Sequence, residues 1–198
     1  LLMPFSFIYL IIIKIKKIIS NPKNFPIPII CVGNIYVGGT GKTPITLKIC
    51  KILKELEQDP VIVRKIYSSH DDEISLIKKH NKILLSKRRV EAIEKAINKN
   101  FKFIVMDDGF QDMTINKDLS IICFHDSQRI GNGLLLPSGP LRERLTELKN
   151  CQIVLINGNQ DIEFEQKLKK YNTKLDFFYY NSIPKNIDNF KNKKLIAF

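Results

Sequence analysis

The chain has 198 residues, 44% of them hydrophobic, with 32 Lys and Arg against 20 Asp and Glu and a formal net charge of +12. That length suits one α/β domain with the start of another, and the apolar content can fill its core. The four cysteines, Cys31, Cys50, Cys123 and Cys151, form no C-x-x-C pair, which argues against a zinc or thiol-redox site and for buried thiols in a reducing compartment. The basic charge favours a polyanionic partner, an anionic membrane surface or a phosphorylated substrate, although a Lys-rich solvated surface accounts for most of it. The lysines are scattered without interleaved aromatics, so no nucleic-acid partner is expected.

Residues 1–13 are nearly all apolar, broken by Pro4 and Ser6, and Lys14, Lys16, Lys17 and Lys23 follow. The run is shorter than the roughly 20 residues that span a bilayer. Its positive charge comes after the apolar part rather than before it, unlike a secretory signal. Residues 1–23 therefore read either as a segment lying in the membrane interface, lysines reaching the headgroups, or as a helix packed on the protein's own core. A Pro-bearing connector leads to a buried strand at 27–32. An amphipathic helix follows, with Ile45, Ile49, Ile52, Leu53 and Leu56 on one face. Further strands are predicted at 60–63, 83–85, 103–106, 119–124, 153–156, 174–180 and 194–198, with helices at 90–98 and 162–171; residues 64–73 read as a polar loop. Alternating strands and helices predict a mostly parallel sheet flanked by helices on both faces.

Between the first strand and its helix lies Gly38-Gly39-Thr40-Gly41-Lys42-Thr43. A Gly-rich turn entering a helix through Gly-Lys-Thr cradles nucleotide phosphates. The glycines admit close approach, the helix N-terminus offers free N–H groups, Lys42 adds charge, and the Thr43 hydroxyl can hold Mg²⁺. Tyr36 stands where the standard phosphate loop has its first Gly. Asp107 and Asp108 end the strand at 103–106, where a carboxylate faces such a loop and holds a metal ion; Asp-Gly is also a common turn pair. Asp71-Asp72-Glu73 is either a solvated acidic stretch or a source of the carboxylate that orients an attacking hydroxyl. Arg88, Arg89, Arg142 and Arg144 are candidates to steady a transferring phosphoryl group. His70, His80 and His125 show no metal-ligand spacing.

Three motifs in order make the sequence resemble the tetraacyldisaccharide 4′-kinase family of the lipid A pathway. They are Val32-Gly33-Asn34 through Thr43-Pro44, Met106-Asp107-Asp108-Gly109-Phe110-Gln111-Asp112, and Gly131-Asn132-Gly133 with Leu136-Pro137-Ser138-Gly139-Pro140-Leu141-Arg142-Glu143. The resemblance implies a P-loop NTPase-like fold and ATP- and Mg²⁺-dependent phosphorylation of a disaccharide lipid at the cytoplasmic face of the inner membrane. It casts Gly38, Gly39, Thr40, Gly41, Lys42 and Thr43, with Gln111 and Arg142, as nucleotide-binding. Thr43, Glu73, Asp107 and Asp108 become metal-binding, and Asp72, Asp107, Asp108 and Arg89 catalytic, with Arg88 the alternative to Arg89. Residues 1–23 become a membrane-docking segment, 24–182 the kinase core, and 183–198 the start of a second domain, cut short. A monomer is expected. Two local departures stand out: Val63-Arg64-Lys65-Ile66-Tyr67 replaces the family's Ser-Arg-Gly-Tyr, and Asp71 replaces the Gly before Asp-Glu. The family's catalytic histidine has no counterpart among the three here. The alternative to an active kinase is therefore a nucleotide-binding remnant of one, and a P-loop GTPase is opposed by the lack of an Asn-Lys-x-Asp motif.

Overall fold

A computed structural model describes residues 2–66 and 71–182. Seven strands form one sheet: β1 (Ile29–Gly33), β2 (Pro60–Lys65), β3 (Ile83–Ser86), β4 (Phe103–Asp107), β5 (Leu119–His125), β6 (Ile153–Asn157) and β7 (Asp176–Tyr180). Their order is β3-β2-β4-β1-β5-β6-β7. Every neighbouring pair is parallel. Five α-helices, α1 (Met3–Ile19), α2 (Lys42–Glu55), α3 (Asp71–His80), α4 (Arg89–Asn98) and α5 (Ile162–Lys169), and a 3₁₀ turn at Leu145–Asn150 complete the described elements.

The strands read as apolar runs because both faces of the sheet are covered. Cys31, Val63, Met106, Phe124 and Ile156 point to one face, under α4, α5 and the 3₁₀ turn, with Ala92, Ile93, Phe164, Leu168 and Leu148. Val32, Ile62, Val105 and Cys123 point to the other, with Cys50 and Leu53 of α2 and Ile77 of α3. All four cysteines are buried and unpaired. Burial pushes each thiol up to about 12.

From β1 the chain passes over β4 to β2, works back to β4, then crosses to β5 on β1's other side. The C-terminal end of β1 is thus where the strand order reverses, the place at which parallel α/β sheets bind ligands.

Two expectations change. Residues 64–73 are not a loop throughout: β2 runs on to Lys65, and Asp71 opens α3. Acids in a first turn complement the helix dipole, and Ile74 and Ile77, three apart, bury one face, so a polar prefix hid an amphipathic helix. The 3₁₀ turn was not anticipated either. The strand expected at 194–198 lies outside the described residues.

The N-terminal segment is helical, with Pro4 in its first turn. None of its residues is buried, so α1 does not supply the core. It lies on the domain through a few polar ties. The Ser6 hydroxyl donates to the Leu135 carbonyl at 3.0 Å, the Tyr9 hydroxyl to the Arg142 carbonyl at 3.1 Å, and Lys17 pairs with Glu147 at 2.8 Å. Phe5, Phe7, Ile8, Ile15, Ile18 and Ile19 stay exposed. Among the described residues no helix is long and apolar enough to cross a membrane.

Candidate active site

The Gly-rich loop leaves β1 at the reversal point and enters α2 at Lys42. Gly41 caps the helix with φ of 72°, a left-handed conformation that favours glycine. A methyl group there would also sit 2.7 Å from the Tyr180 hydroxyl oxygen at the end of β7. Tyr36, in place of the usual glycine, is fully buried. It packs against Phe124 with ring centroids 5.8 Å apart, and its hydroxyl accepts the His125 N–H at 2.9 Å. The start of the loop is therefore pinned to the end of β5 by a side chain.

Asn34, the first residue after β1, organises the loop from beneath. Its amide donates to the Thr40 hydroxyl at 3.3 Å and the Gly38 carbonyl at 3.4 Å. Its own carbonyl accepts from the Gln111 amide at 2.6 Å. Its side-chain oxygen accepts from Arg142. Gln111 and Arg142, expected at the nucleotide, are both joined to the loop by Asn34, a residue whose type alone signals no such role.

The two strand-end aspartates have different surroundings. Asp107 is buried, accepting from Arg64 at 3.1 Å on one oxygen and from the Thr46 hydroxyl at 3.2 Å on the other. Burial pushes its carboxyl above the usual range, although the Arg64 guanidinium opposes the shift. Asp108 sits at φ of 49° and is partly exposed. It accepts from both terminal nitrogens of Arg142, at 2.8 and 3.3 Å, and lies 3.8 Å from the Lys42 ammonium. Burial alone would raise Asp108, but the hydrogen bonds and charge of Arg142, with Lys42, outweigh it and hold the carboxyl below the usual range.

Of the two neighbouring arginines, Arg89 turns inward. It is buried and donates to the Asp108 carbonyl at 2.7 Å, while pairing with Asp112 at 3.2 Å. Its contacts hold the Asp107-Asp108 turn in place. Arg88 stays exposed, with Glu91 at 4.0 Å. Asp72 and Glu73 fall in the first turn of α3, and their side chains lie outside what the structure describes. Arg64 and Thr46 were not anticipated; a charged residue ending the apolar run Val61-Ile62-Val63 was the available signal.

Among the described residues no group of three His, Cys, Asp or Glu side chains could hold a metal ion. Mg²⁺ binds through one or two carboxylates together with substrate phosphates and water. Asp108, partly exposed, held by Arg142 and beside Lys42, is the strand-end carboxylate that faces the loop, with the Thr43 hydroxyl on the adjoining helix turn. Asp107 is buried between Arg64 and Thr46, which suits an orienting role.

A groove of about 730 Å³ runs from this site to α1, lined by Asp108, Gln111 and Arg142 at one end and by Tyr9, Ile12 and Lys16 at the other.

The family profile "LpxK: Tetraacyldisaccharide-1-P 4′-kinase" matches residues 1–198. A tetraacyldisaccharide 4′-kinase of Pelagibacter ubique is 42% identical over 203 residues, spanning 100% of this chain and 64% of its own length. One from Dechloromonas aromatica is 31% identical over 196 residues, covering 85% of this chain and 59% of its own. The chain thus spans about three fifths of these relatives. The crystal structure of Aquifex aeolicus LpxK in complex with ATP superposes with a TM-score of 0.70 at 28% identity, covering 78% of this chain and 57% of that one. The hydrogenase maturation factor HypB of Archaeoglobus fulgidus, at 10% identity and a TM-score of 0.54, shares the fold alone.

Proposed function

Because the chain belongs to the tetraacyldisaccharide-1-P 4′-kinase family, we propose that it binds ATP on residues 38–43 and transfers the γ-phosphoryl group to the 4′-hydroxyl of a tetraacyl disaccharide 1-phosphate. The observation that carries this reading is Lys42 beside Asp108, at the mouth of the phosphate loop and in the grip of Arg142. The loop N–H groups and the α2 N-terminus cradle the phosphates, and Lys42 neutralises charge on them. A bound Mg²⁺, held by Thr43 and Asp108, would supply further neutralisation. Arg64 and Thr46 fix Asp107, and Arg89 fixes the turn that presents Asp108. Resting on the family likeness, Asp72 takes the hydroxyl proton as the new P–O bond forms and the β–γ bridge bond breaks, releasing ADP. On the same likeness, Glu73 would help hold the cation.

The exposed apolar surface of α1 supports docking on an anionic membrane surface, at the cytoplasmic face of the bacterial inner membrane. Residues 1–23 are the docking segment and 24–182 the kinase core; the second domain expected to start at 183–198 lies outside the described residues. The enzyme works as a monomer.

The test is phosphate transfer from labelled ATP to tetraacyl disaccharide 1-phosphate in detergent micelles, with Lys42→Ala as control. Transfer by the chain and its loss in the variant support the reading. Mg-ATP binding without transfer would leave a nucleotide-binding protein and refute the kinase activity of this chain.

A further inference from the structure

The groove between the strand ends and α1 has three kinds of wall. Near β1 and β4 it meets the reacting end, through Asp108, Gln111 and Arg142. Along α1 it is apolar, through Tyr9, Ile12, Ile13 and Ile19. Its remaining rim is cationic, and this excess has no counterpart inside the groove. The groove's acids are already occupied: Asp108 by Arg142, and Asp112 by Arg89. Glu143 is buried, and its carboxyl is pushed up to about 7, so much of its charge is quenched near neutrality. Lys16, Lys87 and Arg88 remain, from α1 and the β3–α4 turn. No acid of the groove pairs with Lys16 or Lys87 among the described residues, and Arg88 has only Glu91, outside the groove, at 4.0 Å.

Resting on the lipid-kinase reading, we propose that Lys16, Lys87 and Arg88 bind the phosphate already carried by the acceptor, at the end of the disaccharide remote from the reacting hydroxyl. The arrangement matches the acceptor's chemistry part by part. The hydroxyl to be phosphorylated belongs at Asp108, acyl chains lie along the α1 wall, and a second anion meets the unbalanced cations. Two lysines and an arginine, one from α1 and two from the β3–α4 turn, can close on one phosphate as point charges and a planar fork. Because α1 supplies both the apolar wall and Lys16, seating α1 on a membrane would complete the acceptor site. Acceptor choice and membrane docking thereby share one helix.

The test compares equilibrium binding of two acceptors to the 198-residue chain in nonionic detergent micelles: tetraacyl disaccharide 1-phosphate and the same lipid without its phosphate. The wild-type chain is expected to prefer the phosphorylated acceptor at least tenfold. The combined variant Lys16→Gln, Lys87→Gln, Arg88→Gln is expected to bind both alike while keeping its Mg-ATP affinity, which shows that the site has folded. Equal wild-type affinities for the two lipids, or a preference that survives in the variant, would overturn the assignment. Binding to neither lipid by a chain that binds Mg-ATP would instead overturn the lipid-kinase reading beneath it. A parallel arm uses micelles doped with phosphatidylglycerol and no acceptor. If the variant loses affinity for those micelles yet keeps its acceptor preference, the cations serve the bilayer and the proposal fails.

Discussion

Replacing Arg64 by methionine removes the cation that, among the described residues, pairs with the buried carboxylate of Asp107 at the end of β4. The Arg64 and Asp107 side chains are 6% and 2% exposed, and their contact is 3.1 Å. After Arg64→Met, Asp107 keeps the Thr46 hydroxyl at 3.2 Å but must either hold an uncompensated charge or take up a proton. Breaking a buried pair from one side costs about 3–5 kcal/mol. In a chain of this length each kcal/mol lowers the melting temperature by about 2–4 °C, so a fall of roughly 6–20 °C is expected. Adding Asp107→Asn removes the stranded charge and should restore at least half of the loss. The pH dependence has a definite sign. Asp107 is already raised by burial, and losing Arg64 raises it further above the unfolded value of about 4. The folded state then holds the proton more tightly than the unfolded state, so the variant is least penalised at low pH and loses stability as pH climbs through the folded value. Circular-dichroism melts at pH 5 and pH 8 should show a larger deficit at pH 8. A fall under about 3 °C, or a deficit that is the same or larger at pH 5, would refute the reasoning.

Gly41→Ala places a methyl group 2.7 Å from the Tyr180 hydroxyl oxygen at φ of 72°, where strain costs about 1–2 kcal/mol. Mg-ATP affinity measured by calorimetry should drop at least tenfold, and an unchanged affinity would show that the loop does not bind phosphate in this conformation. Glu143, 4% exposed and with one carboxylate oxygen lacking a hydrogen-bond partner, has its carboxyl raised from the usual 4.5 to about 7. Stability tied to its bound proton is lost as pH rises across that interval, so Glu143→Gln should melt above wild type at pH 8 and alongside it at pH 5; parallel curves would rule this out. Phe7 and Ile18, 64% and 83% exposed on α1, can be changed together to Asn without touching the core. Co-sedimentation with phosphatidylglycerol vesicles should weaken at least tenfold while the melting temperature holds, since each large apolar side chain entering lipid contributes about 1.5–3 kcal/mol. Undiminished vesicle binding would remove α1 from the membrane contact.

The core strands were legible because burial on both faces turns them into short unbroken apolar runs. The strands expected at 27–32, 103–106 and 119–124 needed no tertiary information to fall within two residues of those observed. The Gly-rich loop was legible because its glycines and Lys42 sit consecutively. Helix α3 was not, since three acids and two lysines accompany its two buried isoleucines. The division of labour between Asp107 and Asp108 was hidden for another reason. It depends on β2 lying beside β4, which brings Arg64 to Asp107 across 43 residues, and on the loop at Arg142 folding back 34 residues to Asp108. Sheet order sets such meetings, and neither residue's own neighbourhood announces them. Arg89 shows the converse. Its place at a helix start was visible, but its use as a brace for two backbone carbonyls was not.

The four cysteines that pack against the sheet's two faces have a practical consequence. Each is at most 1% exposed, and with thiols raised to about 12 only about one in ten thousand is ionised at pH 8. Maleimide and iodoacetamide reagents react with exposed thiolates, so the native fold is silent toward them without any cysteine being removed. A single new cysteine on an exposed helix position, such as Ile18→Cys, would then carry a fluorophore alone. Its emission would report the polarity around that helix, and alkylation of the native four would time global opening of the sheet.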